Sequence, residues 1–379
     1  MDLRIELHGS LERIDPAAWN ALVGSDDPFV EYAFLRALET SGSVGAEAGW
    51  LPVHVVIWHE ETLVGALPLY AKEHSWGEFI FDFAWARAAA QSGVHYYPKL
   101  VSMAPFTPAT GRRLLIRDGV DADIVRGGLL AGARAAADEV DASSIHLLFL
   151  TDEERADMVE LGLRPRLSIQ FHWDNDGYTS FDDYLARFRS RKRKQVLKER
   201  RVVAESGLEV RLIEGPDLGD VEWEALRRFY RSNCFAHGSH PYLTPHFWDE
   251  IRATHADRLL VAMAFEGDAP VAASINFQKG KHLYGRYWGC GAHHEHLHFE
   301  LCYYRLIEHA IERGYRHFEA GAQGRHKLAR GMLATEIHSA HWIRDAGLAG
   351  AVASFLPSEA FGVKADIDAL NGRSPFRRA

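Results

Sequence analysis

Two short stretches of this chain concentrate groups able to bind metals or move protons. His294-Glu295-His296-Leu297-His298 satisfies the H-E-x-x-H pattern, in which two imidazoles one helical turn apart hold zinc and the glutamate serves as base. Further along, Gln323, Arg325, His326, Lys327 and Arg330 gather in one glycine-flanked segment. Such a set can orient a substrate, neutralise an anion and handle a proton. Glu300 and Glu319 lie between the two stretches. Either carboxylate could deprotonate an attacking amine, Glu300 being the first candidate and Glu319 the second. For zinc, the extended peptidase pattern needs a glycine where this chain has Leu301. Glu319 is then the available downstream ligand, so a zinc-dependent hydrolase is the alternative reading, and the favoured one has no metal.

Two further stretches suit anions. Arg286-Tyr287-Trp288-Gly289-Cys290-Gly291 falls between an expected strand and an expected helix, where backbone N–H groups can cradle a pyrophosphate. Arg286, Tyr287, Gly289 and Gly291 are therefore candidate donor-binding residues. From Arg187 to Arg201, nine of fifteen residues are basic and only Glu199 is acidic. The whole chain has a formal charge of −9, so the remainder carries −17. A local cationic run against an acidic background suits either a solvated helix face or a polyanion, and it makes Arg193 and Lys194 donor-binding candidates. Only Phe188 interleaves with the cations, which excludes a base-stacking platform. In the first half, Tyr96-Tyr97-Pro98-Lys99 and Pro105-Phe106-Thr107-Pro108 offer rigid aromatic walls and one amine. Tyr97, Lys99 and Phe106 join Gln323 and Arg330 as candidate substrate contacts, with a plain packed loop as the other reading.

The elements that must hold these groups follow from periodicity. In His298–Arg330, Phe299, Cys302, Leu306, His309 and Ala310 recur at three- and four-residue steps, which predicts a largely buried helix. Gly314 ends it, His317 to Ala320 forms a short strand, and the polar segment follows. Upstream, alternation and turn residues predict strands at 3–7, 53–58, 62–70, 145–150, 167–173, 208–213, 259–266, 270–278 and 282–289. Helices are expected at 16–22, 32–38, 121–140, 152–161, 223–233 and 245–254. Another is capped by Ser180 with Asp183 three residues on. The stretch from Ser75 to Gly111 is expected to be a long aromatic loop, and a final strand is expected at 336–343.

At 379 residues the chain exceeds the size at which a single core stops growing, about 250–300 residues. The strand and helix order repeats on either side of the turn cluster Asp174-Asn175-Asp176-Gly177, which predicts two α/β domains at 1–175 and 176–379. A hydrophobic content of 47% with 25% charged residues is that of a globular chain, and the net negative charge excludes a globally basic nucleic-acid binder. MDLRIELHGS lacks the apolar core of a signal peptide, and no apolar run approaches the roughly 18 residues that cross a bilayer. A cytoplasmic protein without a membrane span is expected. Cys234, Cys290 and Cys302 lack paired spacing, so they are expected as reduced thiols.

Three stretches together resemble the FemAB-like branch of the GNAT N-acyltransferase superfamily, in its peptidoglycan biosynthesis or recognition group. They are FIFDFAWARAAAQSGVHYYPKLVSMAPFTPATGRRLL, YLARFRSRKRKQVLKERRVVAESGLEVRLIEG, and LHFELCYYRLIEHAIERGYRHFEAGAQGRHKLARGM with the HSAHWIRD that follows. One departure is visible: the family pattern GAQGEHK has a glutamate where this chain has Arg325. The resemblance implies an α/β (α+β) fold of two tandem GNAT-like modules, each a mixed, mostly antiparallel sheet flanked by helices. It also implies transfer of an acyl or aminoacyl group to an amine of a small molecule or a peptidoglycan-type precursor peptide. Acyl-CoA or aminoacyl-tRNA would be the co-substrate, with no tightly bound cofactor. tRNA would dock through the basic helix 187–201. Within that scheme Glu300, Glu319, His326 and Lys327 are the expected catalytic set. A degenerate module that only binds such a ligand is the non-catalytic alternative, and Arg325 is its main support.

Overall fold

The structure, a computed structural model, describes residues 2–322 and 324–377. It divides into two compact units, Met1–Ser168 with Glu336–Ala365 and Ile169–Thr335 with Asp366–Ala379. The linear division at 175/176 differs from this in one main respect: the segment after residue 335 returns to the first unit before the chain ends in the second.

Unit 1 contains two sheets. β1 (Arg4–His8), β3 (His54–His59), β4 (Thr62–Leu67) and β7 (Leu115–Ile116) are antiparallel neighbours in that order. The second sheet is built on β8 (Ser144–Leu150), which pairs antiparallel with β15 (Leu333–Ile343) and parallel with β6 (Lys99–Ser102). β5 (Tyr70–Lys72) and β2 (Trp50–Pro52) extend it antiparallel. Every residue of β8 is buried, which is why SIHLLFL reads as a run without alternation. The helix Ala122–Glu139, capped by the Asp121 carboxylate on the N–H groups of Asp123 and Ile124, packs Val125, Leu129, Ala133 and Ala136 onto the core.

Two sequence expectations change here. Ser75–Gly111 is not a single loop, because Phe83–Gln91 is helical and Lys99–Ser102 is β6. A 26-residue helix, Ala346–Asn371, follows the last strand where none was expected. Its glycines and internal Pro357 hide it from a propensity reading. By length and composition this helix could cross a membrane, contrary to the expectation of no such segment. Leu348, Val352 and Leu356 nevertheless pack with Trp85, Ala89 and Tyr96 in a unit 1 core.

Unit 2 is one mixed sheet ordered β10 (Glu209–Glu214), β11 (Leu259–Glu266), β12 (Ala269–Lys279), β13 (His282–Cys290), β14 (His317–Glu319) and β9 (Arg164–Asp174). All pairings are antiparallel except β13 with β14. The crossover between those two is helical from Leu297 to Glu312, with a π-helical turn at Glu300–Tyr304. The Ser274 hydroxyl donates to the Leu301 carbonyl and satisfies one acceptor in that irregular turn. Leu301, Tyr304, Leu306, Ile307 and Ala310 are buried on the sheet, as the periodicity predicts.

Candidate active site

β13 and β14 pair over only three residues, His282 to Tyr284 against His317 to Glu319. Beyond Tyr284, β13 runs on to Cys290 while β14 has ended. A bulge opposite Ile275 and Asn276 turns β13 at the same place. Toward their C-terminal ends the two parallel strands, joined by the crossover helix, are therefore not paired with each other. This is where open sheets with crossovers bind ligands.

Residues 324–331 follow β14 at this end of the two strands. Lys327 is buried, its ammonium donates to the Gly321 carbonyl at 2.7 Å, and Gly321 approaches the Gly285 carbonyl of β13. Burial lowers the Lys327 pKa to about 8, with the neighbouring Arg286 pushing the same way and Cys302 opposing. His326 is exposed, and Tyr303 from the π turn contacts its Nε2 at 2.8 Å. Desolvation, followed by the charges of Lys327 and Arg330, lowers the His326 pKa, which favours the neutral ring that can accept a proton. His298 lies 5.7 Å from His326 and 5.1 Å from Trp288, ring to ring, and burial lowers its pKa to about 4. Trp288, Cys290 and residues 292–299 line an open pocket of about 380 Å³.

Other expected site residues are already engaged. Glu300 is buried in a double contact with Arg200, which also binds Glu308. Burial raises the Glu300 pKa against the opposing Arg200 charge. Its oxygens are committed, so the structure speaks against it as the first-choice base. Glu319 is also buried, within reach of His172 and His317. Arg330 donates to Glu199 at 2.9 Å and to the Tyr304 hydroxyl at 3.2 Å, and it stacks 3.5 Å over the Phe299 ring. Gln323 lies outside the described residues. Arg325, in place of the family glutamate, is exposed.

The glycines of 286–291 do not form an anion cradle. Arg286 to Cys290 are strand, and the Gly291 N–H is bonded to the Val271 carbonyl. Gly289 is required for packing, since a Cβ there would sit 2.2 Å from the Phe229 carbonyl oxygen on the helix Asp220–Ala236. Tyr287 is packed edge-on against Tyr230 and Trp248. The H-E-x-x-H pattern also fails locally: His296 has φ 63°, and the helix begins at Leu297. Among the described residues the one three-ligand metal cluster contains neither His294 nor His298.

The basic helix is Ser190–Ala204, with Val196, Glu199 and Val203 buried. Glu199, the lone acid of the run, takes Arg330, Tyr304 and Gln195, tying this helix to segment 325–330. Arg191, Lys192, Arg193, Lys194, Lys198 and Arg201 have no carboxylate partner among the described residues. The helix therefore carries positive charge that no neighbouring acid cancels, as a polyanion site requires.

In unit 1 the expected substrate contacts belong to a core. Lys99 is fully buried, donating to Glu78 at 2.8 Å and to Asp82 and Ser75. Tyr97 contacts the Ser75 hydroxyl, and Phe106 packs 5.0 Å from Trp50. Lys99 and Phe106 are withdrawn from the substrate contacts because the Lys99 ammonium is taken up by Glu78, Asp82 and Ser75 and the Phe106 ring by Trp50. Conversely, sequence reasoning passes over Tyr303, which is not among the apolar positions that the helical periodicity picks out. No local signal marks it, since its contact with His326 spans 23 residues.

The chain belongs to the FemAB-like family, described as peptidoglycan biosynthesis/recognition, over residues 10–378. Its structure is similar to that of FemX, with a TM-score of 0.55 and 12% identity over 93% of this chain and all of FemX. It is also similar to a putative lysylphosphatidylglycerol synthetase C-terminal domain from Agrobacterium fabrum. That likeness has a TM-score of 0.53 and 12% identity, covering 90% of this chain and 94% of the other. L-PGS from Bacillus licheniformis gives 0.52 and 12%, covering 96% and 99%. No curated protein sequence matches the chain.

Proposed function

We propose that unit 2 transfers an aminoacyl group from aminoacyl-tRNA to an amine of a peptidoglycan-type precursor. The observation that carries this reading is the C-terminal end of the β13 and β14 pair, where Lys327 has no carboxylate partner among the described residues and stands beside His326 with its lowered pKa. Family membership supports the acceptor class. Two features favour aminoacyl-tRNA over acyl-CoA as donor. Residues 286–291 offer no pyrophosphate cradle, and the six cations of the basic helix that lack a carboxylate partner suit a run of phosphates.

In this reading the amine nitrogen attacks the ester carbonyl, its lone pair forming the amide bond. The ester C–O pair leaves with the terminal ribose oxygen. His326 accepts the proton that the attacking amine loses and returns it to that oxygen, with Tyr303 fixing the ring. Lys327, mostly cationic at neutral pH, stabilises the oxyanion with hydrogens that Gly321 does not use. Glu300, Glu199 and Arg330 are positioning residues that lock the π turn and the basic helix.

The test is single-turnover transfer from radiolabelled aminoacyl-tRNA to a soluble precursor peptide, run beside acetyl-CoA and free amino acid. Amide product from aminoacyl-tRNA alone is the expected result. Product from acetyl-CoA alone would replace the donor assignment. Ligand stabilisation without product from any donor would favour the binding-only alternative.

A further inference from the structure

At the point where β13 and β14 begin to part, four side chains from two antiparallel strands meet on one face. His317 lies opposite Asp174, and Glu319 lies opposite His172. Residues two apart on a strand share a face, so the two histidines and two carboxylates converge. His172 Nε2 is 3.8 Å from one Glu319 oxygen, and His317 Nε2 is 3.5 Å from the other. His317 Nδ1 is 2.6 Å from Asp174. His172 and Glu319 are buried, and His317 is partly so.

We propose that His172, His317 and Glu319 bind a zinc-class divalent cation, with Asp174 orienting His317 through its other ring nitrogen. Three observations support the site. The ligand atoms of the three residues all lie within 4.8 Å of one another. Tetrahedral zinc at ordinary bond lengths holds its ligands about 3.3 Å apart, so the 3.8 and 3.5 Å separations from Glu319 need only to tighten, with His172 Nε2 exchanging its 3.1 Å contact to Gln170 for the cation. A carboxylate on the far nitrogen of a metal-binding histidine is also the usual support for such a ligand. Two imidazoles and one carboxylate leave a fourth position for water. This donor set suits zinc, cobalt or nickel better than magnesium or calcium.

Without a cation, a proton can hold the same groups together. Burial opposes charge on His317, but hydrogen bonds to Asp174 and Glu319 raise its pKa to about 10, whereas burial holds His172 at about 4. A protonated His317 between two carboxylates is therefore the rival state. The cation would bind β9 to β14 directly before Ala320 and Gly321, fixing the carbonyl that holds Lys327. The site does not depend on the transferase reading, and its test needs no substrate.

The full chain is treated with chelator and dialysed against zinc, then against cobalt, with metal measured by mass spectrometry and visible absorption. One equivalent is expected, with tetrahedral cobalt bands and no thiolate charge transfer. His172→Gln, His317→Gln and Glu319→Gln each lower affinity more than tenfold, and Asp174→Asn lowers it about 10- to 100-fold. His294→Ala and His298→Ala leave binding unchanged. Circular dichroism checks folding; where a ligand variant is unfolded, the wild-type cobalt spectrum and Asp174→Asn decide. No uptake by wild type, uptake indifferent to Asp174→Asn and the folded ligand variants, or a thiolate band would each overturn the proposal.

Discussion

Unit 1 buries Lys72 and Lys99 and unit 2 buries Lys327, and of these Lys99 and Lys327 have opposite surroundings. Lys99 is held by Glu78 and Asp82, and although burial disfavours its charge, those two carboxylates raise its pKa. Lys327 has only a backbone carbonyl among the described residues, and burial lowers it to about 8. The same side chain is thus an ion-pair anchor in one unit and a responsive cation in the other. The difference teaches that burial alone does not mark a chemical group. What marks it is burial without a compensating charge, because only then does the group's charge remain available to a substrate.

Variants at the two lysines should separate stability from activity. Lys99→Met leaves Glu78 and Asp82 buried without their main partner and should cost about 3–5 kcal/mol, read as a lower urea midpoint. Lys327→Met loses one hydrogen bond to a carbonyl, a stability change within about 1.5 kcal/mol, but should slow transfer by about 100-fold. Equal stability losses from the two variants would erase the contrast. The pH dependence carries its own sign. The folded pKa of Lys327, about 8, lies below the unfolded value of about 10.4, so the unfolded chain binds more protons between them. Stability should therefore rise with pH across that window, and Lys327→Met should flatten the rise in wild-type denaturation curves. Transfer by wild type should fall over the same range as the cation is lost.

Smaller effects sharpen the picture around Lys327. Tyr303→Phe removes the hydroxyl that contacts His326 and should reduce the transfer rate about tenfold while His326→Gln reduces it about 100-fold or more. If both were silent with tRNA still bound, the proton path would lie elsewhere. Arg193→Gln with Lys194→Gln should make the salt dependence of tRNA binding shallower by about 1.5 in the log–log slope. An unchanged slope would return that helix face to solvent.

Much of the fold was legible in the sequence. The helix before Gly314, the cap at Ser180 and the hairpin turning after His59 occupy their expected places, because each rests on periodicity or a turn residue within a few positions. Ala346–Asn371 was missed, since glycine and Pro357 argue locally against a helix that packing on Trp85 and Tyr96 supports. At the site, segment 323–330 was marked by its polar density. Glu300, Gly289 and Lys99 were misjudged for one reason: each has a partner remote in sequence, respectively Arg200, Phe229 and Glu78.

By itself the sequence determined which elements form and that cations concentrate at 187–201 and 323–330, since propensity, periodicity and composition act over short range. Only the tertiary structure decided which charges are cancelled. Coulombic pairing and desolvation depend on distances of a few ångströms between residues that lie a hundred or more positions apart, such as Arg200 and Glu300 or Glu199 and Arg330. That is why Lys327 and His326 stand out at the C-terminal end of the β13 and β14 pair once the neighbouring ion pairs are traced.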